Sequence, residues 1–114
     1  MTVVREASGI CTVIVTVDAP AETISEMEFH ARDGLVRFKE YKGFVSGALH
    51  KSTDGKRLIQ YLQWETEADH LACMNDPRWD DRPSTRRFME HVESGGAQTD
   101  VRVYEVVSSS KGRE

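Results

Sequence analysis

With 114 residues, 39% of them hydrophobic and 30% charged, the chain is long enough for one core and too short for two. A formal net charge of −4 leaves no basic surplus for phosphate backbones, so nucleic acid is not an expected partner. No apolar run approaches the roughly 20 residues of a membrane span, and Met1-Thr-Val-Val-Arg-Glu6 lacks the basic-then-apolar order of a secretion signal, which predicts a cytoplasmic protein with no membrane partner.

Ile10 to Val17 is rich in β-branched residues and reads as a strand, apolar on both faces and therefore covered on both. Asp18-Ala-Pro20 signals a helix start. Ile24, Met27, Ala31, Leu35 and Phe38 then recur at helical spacing as the inward face. Gly34 within that helix costs about 1 kcal/mol relative to alanine, which points to a close contact or to room left for a ligand. His30 lies beside it near the same face.

Lys42-Gly43 ends the helix and Phe44 to Lys51 reads as a second strand. Thr53-Asp-Gly-Lys56 holds the Asp-Gly pair of tight hairpins. The third strand, Arg57-Leu-Ile-Gln-Tyr-Leu-Gln-Trp-Glu65, alternates faces. Leu58, Gln60, Leu62 and Trp64 point one way; Ile59, Tyr61 and Gln63 point the other. Buried amides and an indole N–H need partners, so the face with Gln60 and Trp64 reads as the floor of a polar-aromatic pocket.

Thr66 and Asp69 fit a capping box at the start of a helix that runs to about Asn75 and is stopped by Pro77. Arg78 to Pro83 reads as a loop. Ser84 is expected to cap a further helix with Phe88, Met89 and Val92 inward, ended by Gly95-Gly96, and Asp100 to Val107 is the last strand. Cys11 and Cys73 fit neither metal nor disulfide spacings and are expected as buried thiols. His30, His50, His70 and His91 are scattered without ligand spacing, so no metal site is expected.

Strand, helix, strand, strand, helices, strand is the ferredoxin-like split βαβ order, an α+β fold with a four-stranded antiparallel sheet and helices on one side. It predicts one domain over residues 1–114, with a core at 9–107, a short N-terminal arm and a polar tail at 108–114. Because the first strand is apolar on both faces, a homodimer through the sheet faces is expected, with Tyr61 and Gln63 at the contact.

Gly43-Phe-Val-Ser-Gly-Ala-Leu-His-Lys-Ser-Thr-Asp-Gly55, followed by Tyr61-Leu-Gln-Trp-Glu-Thr-Glu-Ala68, resembles the antibiotic biosynthesis monooxygenase family, a dimeric α/β barrel group. The resemblance runs over roughly residues 9 to 107. It implies a cofactor-independent monooxygenase that oxidises a phenolic, quinol or polyketide-like aromatic ring with O2. The family's typical site has an asparagine four residues before the tryptophan, that tryptophan, a tyrosine six residues after it and an arginine on the later helix. The matching positions here are Gln60, Trp64, His70 and one of Arg82, Arg86 or Arg87; Gln60 and His70 depart from the pattern. His70 is then the expected base, with Trp64 and Gln60 as donors to substrate or reduced oxygen. Arg86 or Arg82, with His30 and Gly34, would bind the substrate. Three other readings share the pocket: a polyketide-type cyclase or isomerase, a non-catalytic binding dimer, and haem degradation. The haem branch resembles this chain in its strand tryptophan, but Met74 stands at its ligand position and the first strand has no asparagine.

Overall fold

The computed structural model describes residues 10–110 and 112; the N-terminal arm and tail positions 111, 113 and 114 lie outside the described residues. Strands β1 (Cys11–Asp18), β2 (Phe44–Lys51), β3 (Arg57–Trp64) and β4 (Gln98–Tyr104) form one antiparallel sheet in the order β2-β3-β1-β4. This is the expected ferredoxin-like arrangement. β4 lies nearer the N-terminus than the expected Asp100–Val107. Its pairing with β1 runs from Asp18↔Gln98 to Thr12↔Tyr104, and there β1 is almost exhausted.

The helices are α1 (Ala21–Arg37), continued by a 3₁₀ turn at Phe38–Glu40, α2 (Glu67–Met74), α3 (Pro77–Asp80) and α4 (Pro83–Glu93). α1 buries Ile24, Met27, Ala31, Gly34 and Arg37. The burial of Arg37 was not expected; Leu35, expected inward, is only half-buried. α2 starts as expected: Thr66 Oγ1 accepts from the Asp69 N–H at 3.1 Å, and the hydroxyl donates to the Asp69 carboxylate at 3.0 Å.

Two boundaries differ from the sequence reading. Pro77 opens α3 instead of only ending α2, because its fixed φ suits the first helical position and Asp76 caps the turn by accepting from the Arg78 N–H at 3.1 Å. Likewise Pro83 takes the first position of α4, so Arg82 is the N-cap and Ser84 lies inside the first turn.

The register between β2 and β3 slips between Phe44 and Ser46, a bulge at Val45. Phe44 is thereby paired with Trp64 while Gly47 is paired with Leu62, and residues three apart share the helix-side face. Gly47 is where α1 comes down on the sheet: a Cβ there would lie 2.8 Å from Leu35 Cδ1.

The core has two centres. One gathers Cys11, Val13, Phe38, Leu62, Trp64 and Cys73. The other gathers Val17, Ile24, Met27, Leu58 and Ala97, and Val15 packs against both. On the sheet face away from the helices, Gln63 is fully buried within the chain, its Nε2 donating to the buried Thr12 Oγ1 at 3.2 Å. Its expected place at a dimer contact is therefore corrected: the cross-strand pairing with Thr12 turns the amide into the sheet surface. Tyr61 on the same face stays half-buried.

Gly43 sits between the 3₁₀ turn and β2 with φ of +83°, and a methyl group there would run into the Asp69 side chain that caps α2. Gly43→Ala should therefore lower stability by about 2 kcal/mol through backbone strain and a disturbed cap, read as a lower urea midpoint.

Candidate active site

Between the two core centres the helices stand off the sheet and leave a cavity of about 220 Å³. Its floor is the β1 and β3 face carrying Val13, Val15, Gln60 and Leu62. α1 contributes His30, Ala31 and Gly34, α2 contributes His70 and Met74, and Trp79 of α3 stands beside Gly34. α4 forms the far wall with Thr85, Phe88, Met89 and Val92; Thr99 and Val101 of β4 complete it. α4 has no fully buried residue and Val101 is 57% exposed, so the cavity opens to solvent between α4 and the edge strand.

The lining is mainly apolar, with a few polar groups set into it, the usual character of a small-molecule site. Gln60 reaches it because strand alternation puts its side chain on the helix side, paired with Val15. His70, in the first turns of α2, is buried at 7% exposure, and its Nδ1 has no hydrogen-bond partner among the described residues. Burial pushes its imidazole below the ordinary histidine range, with the Glu67 carboxylate acting weakly the other way. His70 is thus held as a neutral ring at pH 7, able to accept a proton. His30 also presents a buried Nδ1 with no partner among the described residues.

Trp64 is not part of the lining. It is fully buried, enclosed by Phe44 at 5.2 Å, Phe38 at 5.8 Å and His70 at 5.9 Å between ring centroids. The expectation that Trp64 and Gln60 look together into the hollow holds for Gln60 alone. The Val45 bulge swings Phe44 onto the helix side, and with Phe38 it closes over the indole. Trp64 instead forms the wall against which His70 lies, and its Nε1 is buried without a partner among the described residues.

The arginines are also redistributed. Arg82 and Arg86 are exposed and absent from the lining, with Arg82 lying 3.9 Å from Glu40. They sit at the outer start of α4, whose inner side carries Thr85, Phe88 and Met89. The arginine next to the site is Arg37. Its guanidinium bonds Asp33 at 3.1 Å and Thr85 Oγ1 at 2.8 Å, and lies 4.5 Å over the Trp79 ring. It fastens α1 to two cavity-lining residues, and the only sequence signal for it was the Asp33–Arg37 spacing of one helical turn. Cys73 is buried, and desolvation pushes its thiol up to about 12, so it takes no part in acid–base chemistry near neutrality. Among the described residues no cluster of His, Cys, Asp and Glu could hold a metal ion, and no helix is long and apolar enough to cross a membrane.

No family model matches the chain. Tetracenomycin-F1 monooxygenase of Streptomyces glaucescens is 41% identical to it over 58 residues, 46% of this chain and 52% of that protein, so the chain spans about half the length of the curated relative it matches. Among solved structures, SnoaB, a cofactor-independent oxygenase from Streptomyces nogalater, superposes with a TM-score of 0.72 at 11% identity, covering 90% of this chain and 97% of that one. A protein from Nitrosomonas europaea ascribed to the antibiotic biosynthesis monooxygenases does so with 0.67 at 12% identity, covering 91% and 96%. The chain therefore has the fold of the antibiotic biosynthesis monooxygenases and is related in sequence to a tetracenomycin-F1 monooxygenase.

Proposed function

We propose that the protein is a cofactor-independent monooxygenase that converts a phenolic ring to a quinone with O2. The observation that carries this reading is the pairing of a neutral, buried His70 with Gln60 in one apolar cavity beside β3. The sequence relative is a monooxygenase and SnoaB is a cofactor-independent oxygenase, which supports the same reaction class.

The chemistry asks little beyond such a cavity. His70 takes the phenol O–H proton. The phenolate passes one electron to O2, and the resulting aryl radical and superoxide combine at a ring carbon to give a peroxide anion. His70 returns its proton to the distal peroxide oxygen. Loss of the remaining hydrogen from that carbon, with cleavage of the O–O bond, leaves a carbonyl and one water. One phenol and one O2 thus yield one quinone and one water. The Gln60 amide can donate to the phenolate or peroxide oxygen as charge develops. Gly34 lets the Trp79 indole lie against α1 at the cavity wall. With two free, buried cysteines, the chain suits a reducing cytoplasm.

We also read the chain as a homodimer through its sheet faces. Ile14, Ile59 and Tyr61 are half-buried and Tyr104 is exposed on the face away from the helices, which an isologous partner would cover. Sedimentation equilibrium should return twice the chain mass; a monomer at micromolar concentration would overturn this part.

An oxygen electrode tests the reaction, with 1-naphthol as substrate. The expected result is one O2 consumed per naphthoquinone formed, with kcat reduced about 10²- to 10⁴-fold in His70→Ala. Turnover without oxygen uptake would mark a cyclase or isomerase instead, and binding without turnover a non-catalytic dimer. The same histidine leaves a mark on stability. The folded chain binds a proton at His70 less readily than the unfolded chain, so its contribution is intact above the ordinary pKa of 6.5 and is lost as pH falls through the lower folded value. His70→Gln should flatten the fall in urea midpoint below about pH 6.5; an unchanged slope would contradict the burial argument.

A further inference from the structure

Thr85 lines the cavity from the first turn of α4, half-buried, and the chemistry assigned to His70 and Gln60 makes no use of it. Its Oγ1 accepts a hydrogen bond from Arg37 Nη2 at 2.8 Å. The direction of that bond is fixed, because a guanidinium carries donors only. Among the described residues the Thr85 hydroxyl donates to no group in return. Its one hydrogen is left for what the cavity holds. Arg37 is itself anchored. It is 5% exposed, its Nε donates to Asp33 at 3.1 Å, and its central carbon lies 4.5 Å from the centroid of the Trp79 ring. A cationic donor on the hydroxyl oxygen draws electron density from it and strengthens the remaining O–H as a donor. The neighbouring wall, with Phe88, Met89 and Val101, is apolar. A polarised donor in such a wall separates ligands that can accept from those that cannot, because the donor is costly to leave unpaired.

We propose that Thr85, held by Arg37, is a specificity-determining residue of this cavity: its hydroxyl donates to a ring carbonyl that the substrate carries apart from the phenol. The inference deepens the oxygenase reading and rests on it for the phenol end alone, which His70 takes from α2. Thr85 is the contact. Arg37 is a positioning residue: it occupies the hydroxyl oxygen and leaves the hydrogen for the ligand.

The test uses the full chain and two phenols that differ by one carbonyl, 5-hydroxy-1-tetralone and 5-hydroxytetralin, in anaerobic titration calorimetry. The native chain should bind the ketone about 10-fold more tightly. That preference should fall to about one in Thr85→Val, which loses the hydroxyl, and stay within about twofold of native in Thr85→Ser, which keeps it. Arg37→Met should lower it to about threefold; a purely structural tie between α1 and α4 would lower the urea midpoint and leave the preference alone. In the native complex the carbonyl stretch of the bound ketone should lie below its position in hexane. Equal binding of the two phenols, no binding of the ketone, an unshifted stretch, or a preference unchanged in folded Thr85→Val would overturn the proposal. Loss of the preference in Gln60→Leu but not in Thr85→Val would assign the donor to Gln60 and overturn it as well. If Thr85→Val fails to fold, the stretch in Gln60→Leu decides: a carbonyl still shifted supports Thr85, and one restored overturns it. If the preference depends on Thr85 but neither 1-naphthol nor the ketone drives oxygen uptake, the oxygenase reading fails while this contact stands. If oxygen is consumed and the preference does not depend on Thr85, the contact fails alone.

Discussion

The ring of Phe38 holds the molecule's working end together. It stacks on Trp79 at 4.6 Å and on Phe44 at 5.5 Å, and meets Trp64 edge-on at 5.8 Å. Those rings come from α3, β2 and β3, so one side chain at the end of α1 ties three other elements to a single point. Offset and edge-on aromatic pairs add about 0.5–1.5 kcal/mol each beyond the area they bury. The cluster closes one end of the cavity. It sets Trp64 as a wall behind His70 and fixes Trp79 beside Gly34 under the guanidinium of Arg37.

Much of this architecture is legible in the residues themselves. Alternation along β3 assigns Gln60 and Leu62 to the helix side, and the helical spacing from Ile24 to Phe38 identifies the buried face of α1. Gly34, His30, Gln60 and His70 are singled out by residue type and position, and all four line one cavity. What period and composition do not carry is any feature that depends on contacts between distant segments. The Val45 bulge breaks the two-residue period and brings Phe44 over Trp64. Arg37 looks like a solvated helix residue until Thr85 and Trp79, more than forty positions later, come down on it. Pro77 and Pro83 carry the same signal whether they end a helix or begin one, and only the cap geometry at Asp76 and the chain path after Arg82 decide between the two.

The unpartnered polar atoms lie on both sides of the sheet. Trp64 Nε1, His30 Nδ1, His70 Nδ1 and Gln63 Oε1 are buried without protein partners among the described residues; the two histidines line the cavity, and Gln63 lies on the sheet face away from the helices. A buried polar atom left unsatisfied costs about 1–3 kcal/mol, so each of these atoms is a cost in stability that a packed apolar group would avoid. On the opposite sheet face the Gln63 amide donates to Thr12 through Nε2 and leaves Oε1 without a partner among the described residues.

The helix that forms the outer wall differs from the rest. α4 buries none of its residues completely, yet it supplies Thr85, Phe88, Met89 and Val92 to the cavity. Substitutions there change the shape and polarity of the chamber, and they also reach the seat of α1, because Phe88 and Val92 pack against the centre that holds Ile24 and Met27 and Thr85 bonds Arg37. The outer wall of the chamber and the anchorage of α1 thus share side chains, so any change in what the cavity admits is felt in the folding equilibrium.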